Sequence, residues 1–95
     1  MDRYQRLYTK QFRKDLRRLE KSGFAMSALE QIIDALAVDE KLPENCRDHA
    51  LHGTLKGARE CHVRPDWLLL YQKDGKELTL LLMKTGTHRH VLGIE

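Results

Sequence analysis

Phe12, Leu16 and Leu19 recur at intervals of three and four residues in an otherwise charged segment, the spacing of one helix face. Thr9 stands ahead of them as an N-cap, and Gly23 follows where a left-handed cap closes a helix. The pattern predicts a helix over about residues 10–21. Before it, residues 4–9 alternate loosely and predict a short strand. A second stripe, Leu29, Ile32, Ile33 and Leu36, predicts a helix from Ser27 to about Val38, with Ser27 and Glu30 spaced as a capping box.

Residues 39–53 are polar and read as loop, punctuated by Pro43 and Gly53. From residue 54 the apolar period shortens towards two. Residues 58–64 predict a strand with Cys61 and Val63 on an apolar face and Glu60, His62 and Arg64 on a wetter one. Pro65 and Asp66 break it. Two apolar strands, "WLLLYQK" and "ELTLLLMK", flank Asp74-Gly75, a hairpin signal. Being apolar on both faces, they belong at the sheet centre. The predicted fold is α+β, a single domain over residues 1–95. Its order is a short first strand, two helices packed on a small antiparallel sheet, then a strand meander.

Composition narrows the setting. The 95 residues are 41% hydrophobic, globular rather than disordered. No apolar run approaches the roughly 20 residues that span a bilayer, and the N-terminus is too polar for a secretory signal. Cytoplasmic residence without membrane attachment is the expectation, and Cys46 and Cys61 fit it as reduced thiols. Net charge is +3, unevenly spread. Residues 1–21 carry eight basic and three acidic side chains, whereas residues 28–45 carry one and five. Arg13, Arg17 and Arg18 on the first helix therefore suggest a surface for a polyanion or an acidic partner. Charge alone does not distinguish that surface from a solvated helix face, and no helix-turn-helix signature points to DNA.

All five histidines, His49, His52, His62, His88 and His90, fall after residue 48, near strand ends or in loops. Imidazole titrates near neutrality, so paired histidines can take one proton and donate another. That suits RNA cleavage without a metal. A base deprotonates a ribose 2′-OH, which attacks the adjacent phosphorus, and an acid protonates the departing 5′-oxygen. His62 and His88 fit the two proton-transfer roles, with Asp66 to orient an imidazole. Spacing alone leaves open that these are polar loop residues without chemistry. A metal site from Cys46, His49, His52, Cys61 and His62 is a rival reading, but Cys-x2-His-x2-His matches no common zinc pattern.

The segments "YTKQFRKDLRRLEKSG", "LPENCRDHALHGTLKGARECHVRPDWLLLYQK" and "LLLMKTGTHRHVL" together resemble the YafQ-type toxins of the RelE/ParE superfamily, over nearly the whole chain and in one order. The resemblance implies a toxin that cleaves mRNA on the ribosome without a cofactor. It also implies an acidic antitoxin, in a hetero-oligomer that reaches operator DNA through the antitoxin. Matched position by position, it implies His49, His62, Asp66 and His88 as catalytic, with Lys56, Arg59, Arg13, Arg17, Arg18 and Leu92 on the RNA. Relatives often carry an aromatic where this chain has Leu92, and lysine where it has His52. His90 has no counterpart role. The ParE branch, which shares the fold and inhibits a topoisomerase by protein binding, is the alternative, and the histidine set argues against it. Trp67 reads as core.

Overall fold

The structure, a computed structural model, describes residues 1–92. The elements in order are β1 (Gln5–Tyr8), α1 (Lys10–Lys21), α2 (Met26–Ala37), β2 (His49–Ala50), β3 (Arg59–Arg64), β4 (Trp67–Asp74), β5 (Thr79–Gly86) and α3 (His88–Leu92). Short 3-10 turns at Glu44–Cys46 and Gly53–Leu55 punctuate the segment between α2 and β3. The strands form one sheet in the order β1-β5-β4-β3-β2. Strands β2 to β5 make the expected antiparallel meander, and β1 joins β5 in parallel. The sheet is therefore mixed, because β1 is far from β5 in sequence and no hairpin constrains its direction.

Helix α1 follows the sequence closely. Thr9 Oγ1 accepts the Phe12 N–H at 2.9 Å and donates to the Met83 carbonyl at 2.7 Å, so one hydroxyl caps the helix and ties it to β5. Such a cap contributes about 1 kcal/mol. Gly23, at φ 81°, ends the helix in the left-handed conformation that glycine adopts without strain. Phe12 and Leu19 of α1 and Leu29, Ile33 and Leu36 of α2 are buried against Cys61, Val63, Leu69, Tyr71, Leu80 and Leu82 on one sheet face. Each large apolar side chain so buried contributes about 1.5–3 kcal/mol.

Three local expectations are corrected. The Ser27–Glu30 capping box does not form: α2 starts at Met26 with Ala25 in the cap position and no side-chain cap bond. Phe24 and Met26 pack on the core and set the start upstream of Ser27. The β4–β5 connection is longer than a two-residue turn, since Asp74 pairs with Thr79 and residues 75–78 loop out. The Asp74 carboxylate accepts the backbone N–H groups of Lys76 and Glu77 at 2.9 and 3.1 Å, a side-chain-capped loop. Third, Glu60 does not sit on a wet face. It is only 4% exposed.

The sheet's second face carries a smaller apolar cluster of Ala58, Leu68, Leu70 and Val91, with Leu51, Met83 and Leu92 around it. Helix α3, which no sequence pattern announced, supplies Val91 and Leu92 to this cluster. His49 and His62 project from this second face.

Candidate active site

Strand β3 ends at a turn and β5 ends in α3, and these two endings bring His62 and His88 together. Their ring centroids are 5.4 Å apart and the planes are inclined by 59°. Asp66, in the β3–β4 turn, accepts from His88 Nδ1 at 2.8 Å and from the His88 backbone N–H at 3.2 Å through the same oxygen, Oδ1. These two bonds, the side-chain one first, hold the exposed Asp66 carboxyl below the usual carboxylate range. Carboxylate and imidazole thus keep each other oriented.

The tautomers follow from the partners. His62 Nδ1 lies 3.2 Å from the Pro65 carbonyl, and His49 Nδ1 lies 2.6 Å from the Arg47 carbonyl. A carbonyl oxygen only accepts, so each Nδ1 carries the proton and each neutral ring presents its Nε2 lone pair. His49 sits on β2 directly across from Glu60, with Nε2 3.8 Å from Oε1 of that buried carboxylate. Register continues the row across the sheet from His49 through Glu60 and Leu70 to Lys84. Glu60 Oε2 has no hydrogen-bond partner among the described residues.

Glu60 and Lys84 are additions that sequence reasoning missed. Strand parity put Glu60 on the His62 face, but nothing in the local pattern marked it as buried. Asp15 was missed in the same way. It occupies a core position of the α1 stripe and is fully buried.

Other expected site residues are placed differently. Arg59 points to the opposite face, where its Nε donates to Asp48 at 3.2 Å and the Tyr71 hydroxyl donates to the same oxygen. It lines a cavity of about 600 Å³ with Asp48, Tyr71 and Lys73 that includes none of the histidines. Lys56 is exposed just after the second 3-10 turn. Leu92 is half-buried against the second-face cluster at the end of α3. Arg13 is exposed and lies over the Tyr8 ring, 5.8 Å from its centroid. Arg17 is exposed at the groove between α1 and α2. Arg18 instead pairs with Asp15 at 3.0 Å. His52 is exposed. Trp67 is core, as expected: its ring meets Phe24 edge-on at 5.0 Å and its N–H donates to Thr85 Oγ1 at 2.9 Å.

Cys46 and Cys61 are both buried, and burial raises both thiols above the ordinary range. Among the described residues, no group of three or more His, Cys, Asp or Glu side chains is arranged to hold a metal ion. No helix among them is long and apolar enough to cross a membrane.

The sequence and fold have counterparts among known proteins. The mRNA interferase toxin YafQ of Escherichia coli K12 is 36% identical over 87 residues, covering 90% of this chain and 92% of that protein. The E. coli DinJ–YafQ toxin–antitoxin complex contains a chain that superposes with a TM-score of 0.87 at 33% identity, covering 96% of this chain and 99% of that one. A toxin from Helicobacter pylori, solved in a metal-bound form, superposes with a TM-score of 0.87 at 40% identity, covering 93% of this chain and 98% of that one. The profile of the YafQ bacterial toxins of type II toxin–antitoxin systems matches residues 4–93. The chain belongs to the YafQ family of type II toxin–antitoxin toxins.

Proposed function

We propose that this toxin is an endoribonuclease that cuts translated mRNA on the ribosome, using the substrate's own 2′-OH as nucleophile. The observation that carries the reading is the His62–His88 pair, 5.4 Å between centroids, with Asp66 fixed on one of the two rings. The carboxylate holds the His88 ring by its Nδ1–H, which leaves Nε2 as the atom to deliver a proton to the leaving 5′-oxygen. His62, with Nδ1 held on a carbonyl, presents Nε2 as the base for the 2′-OH. His49 is oriented alike and stands as its neighbour on the same face. The new bond is 2′-O to phosphorus and the broken one is phosphorus to 5′-O, giving 2′,3′-cyclic phosphate and 5′-hydroxyl ends. Lys84 and Lys56 are the cations suited to the extra negative charge of the phosphorane.

The basic α1 surface, through Arg13 and Arg17, is the proposed contact for ribosomal RNA. The partner in the resting state is an acidic antitoxin, and contact with operator DNA runs through it. The E. coli DinJ–YafQ complex supports an antitoxin partner, and the mRNA interferase activity named for the E. coli K12 relative supports the nuclease reading. The proposal places this chemistry in the cytoplasm, where translated mRNA is.

The test is addition of purified toxin to a translation extract, with mapping of RNA ends. Cuts inside the translated frame, absent when initiation is blocked, are expected. Translation or growth that stops while transcripts stay intact would overturn the nuclease reading and favour inhibition by protein binding.

A further inference from the structure

We infer that Asp15 and His90 form a clamp that positions His88, making both of them positioning residues for the proposed cleavage, on whose reading this inference rests. Strand β1 pairs with β5 only as far as Leu82, so the last part of β5 is without a strand neighbour on that side. Helix α1 takes over that edge. Asp15 Oδ2 accepts the Thr85 backbone N–H at 3.1 Å, and Arg18 Nη2 approaches the Thr85 carbonyl at 3.5 Å. The other carboxylate oxygen of Asp15 accepts from Gln11 Nε2 at 2.8 Å, Arg18 Nη1 at 3.0 Å and His90 Nε2 at 2.7 Å. The carboxylate is completely buried, and its four donors come from α1, β5 and α3.

His90 is two residues beyond His88 on a helix of five residues. A helix that short does not hold itself, so tertiary anchors must place it. Among them are Val91 in the second-face cluster, His88 on Asp66, and His90 on Asp15. Asp66 orients the His88 ring but is exposed, so water competes for its bonds and it anchors α3 less firmly than a buried partner does. The bond to Asp15 ends in a buried carboxylate, where loss of a donor costs more. The backbone is shaped for this contact. Gly86 has φ 151°, and a Cβ there would meet the His90 ring at 2.9 Å and Arg18 Nη2 at 3.0 Å. Glycine lets the ring and the guanidinium reach the carboxylate past the end of β5.

The experiment compares His90→Ala, His90→Gln and wild type, full length, in single-turnover cleavage of mRNA on programmed ribosomes and in amide hydrogen exchange. His90→Ala should cut about 10²-fold more slowly, the scale of a small misplacement of a reacting group, at an unchanged half-saturating ribosome concentration. Val91 and Leu92 amides should exchange faster. His90→Gln, whose amide donates to Asp15, should recover most of the rate and the protection. Wild-type rate and exchange in His90→Ala would overturn the clamp, as would a His90→Gln as impaired as His90→Ala. If wild type itself does not cut, the nuclease reading fails, and the exchange of Val91 and Leu92 still decides the clamp.

Discussion

Asp66 Oδ1 receives both the side-chain Nδ1–H and the backbone N–H of His88. One oxygen therefore fixes the ring's tautomer and the start of α3. If His88 is the acid, the pair separates two effects. His88→Ala removes the proton and is expected to slow single-turnover cleavage about 10²- to 10⁴-fold. Asp66→Asn keeps the shape but loses the negative charge beside the His88 ring, so its effect should be similar or smaller. Ribosome binding should persist in both, since neither residue belongs to the basic α1 surface. Equal rates for His88→Ala and wild type in a quench-flow assay would remove His88 from the chemistry.

Asp15 carries a prediction about acid. Burial alone would raise its pKa, but the bonds from Thr85, Gln11, Arg18 and His90 outweigh burial and hold it below the ordinary 3.8. As pH falls, the unfolded chain protonates this carboxyl first. Its stabilising effect is fully present above the ordinary carboxylate range and disappears as pH drops through 3.8 to the lower folded value. Urea unfolding midpoints should therefore decline below about pH 5, in the window where carboxylates titrate. Asp15→Asn should be less stable at neutral pH and show a shallower decline. A variant with the wild-type slope would mean that other carboxylates, such as Asp39 beside Lys73, dominate acid sensitivity.

These two carboxylates also show what a sequence reveals. The helix over residues 10–21, its Thr9 cap and the central strand pair were legible, because period, capping and apolar runs act locally. His62, Asp66 and His88 were candidates because their residue types are chemically apt, and the structure brings those three together. Arg59 shares strand parity with Cys61, so alternation already put it on the core side, and its side chain leaves by that face to pair with Asp48; only the family resemblance placed it on the RNA. Helix α3 was invisible because five residues carry no period, and its place depends on Asp15, 75 positions away. Glu60 looked solvated by alternation alone. Its burial comes from neighbouring strands, which no local pattern records.

The basic face divides into two kinds of arginine. Arg13 and Arg17 are exposed on α1, whereas Arg18 is committed to Asp15. Replacing Arg13 and Arg17 by Ala should weaken ribosome association and flatten its dependence on salt, by about 0.7–0.9 in the log–log slope for each phosphate no longer neutralised. Thermal stability should barely change. Arg18→Ala should instead lower stability, because it leaves a buried carboxylate short of a donor. Filter binding across a salt series, beside thermal melts, checks both halves. An unchanged slope in the double variant would make Arg13 and Arg17 merely solvated.

The most demanding expectation concerns the nucleophile. If the 2′-OH attacks, a single 2′-deoxyribose on the 5′ side of the scissile phosphate removes the attacking atom. Cutting at that bond should then disappear while binding stays nearly intact. Normal substrate should yield 2′,3′-cyclic phosphate and 5′-hydroxyl ends, read by ligation requirements or mass spectrometry. A chelator selective for transition metals, with magnesium kept for the ribosome, should leave the rate unchanged, because two histidines complete the proton transfers without a metal-activated water. The metal-bound Helicobacter pylori relative makes that arm informative. Water attack would instead spare the deoxy substrate and commonly leave a 5′-phosphate, and a metal that activates it would make the rate sensitive to chelator. Either result would transfer the chemistry from the His62–His88 pair to a different site.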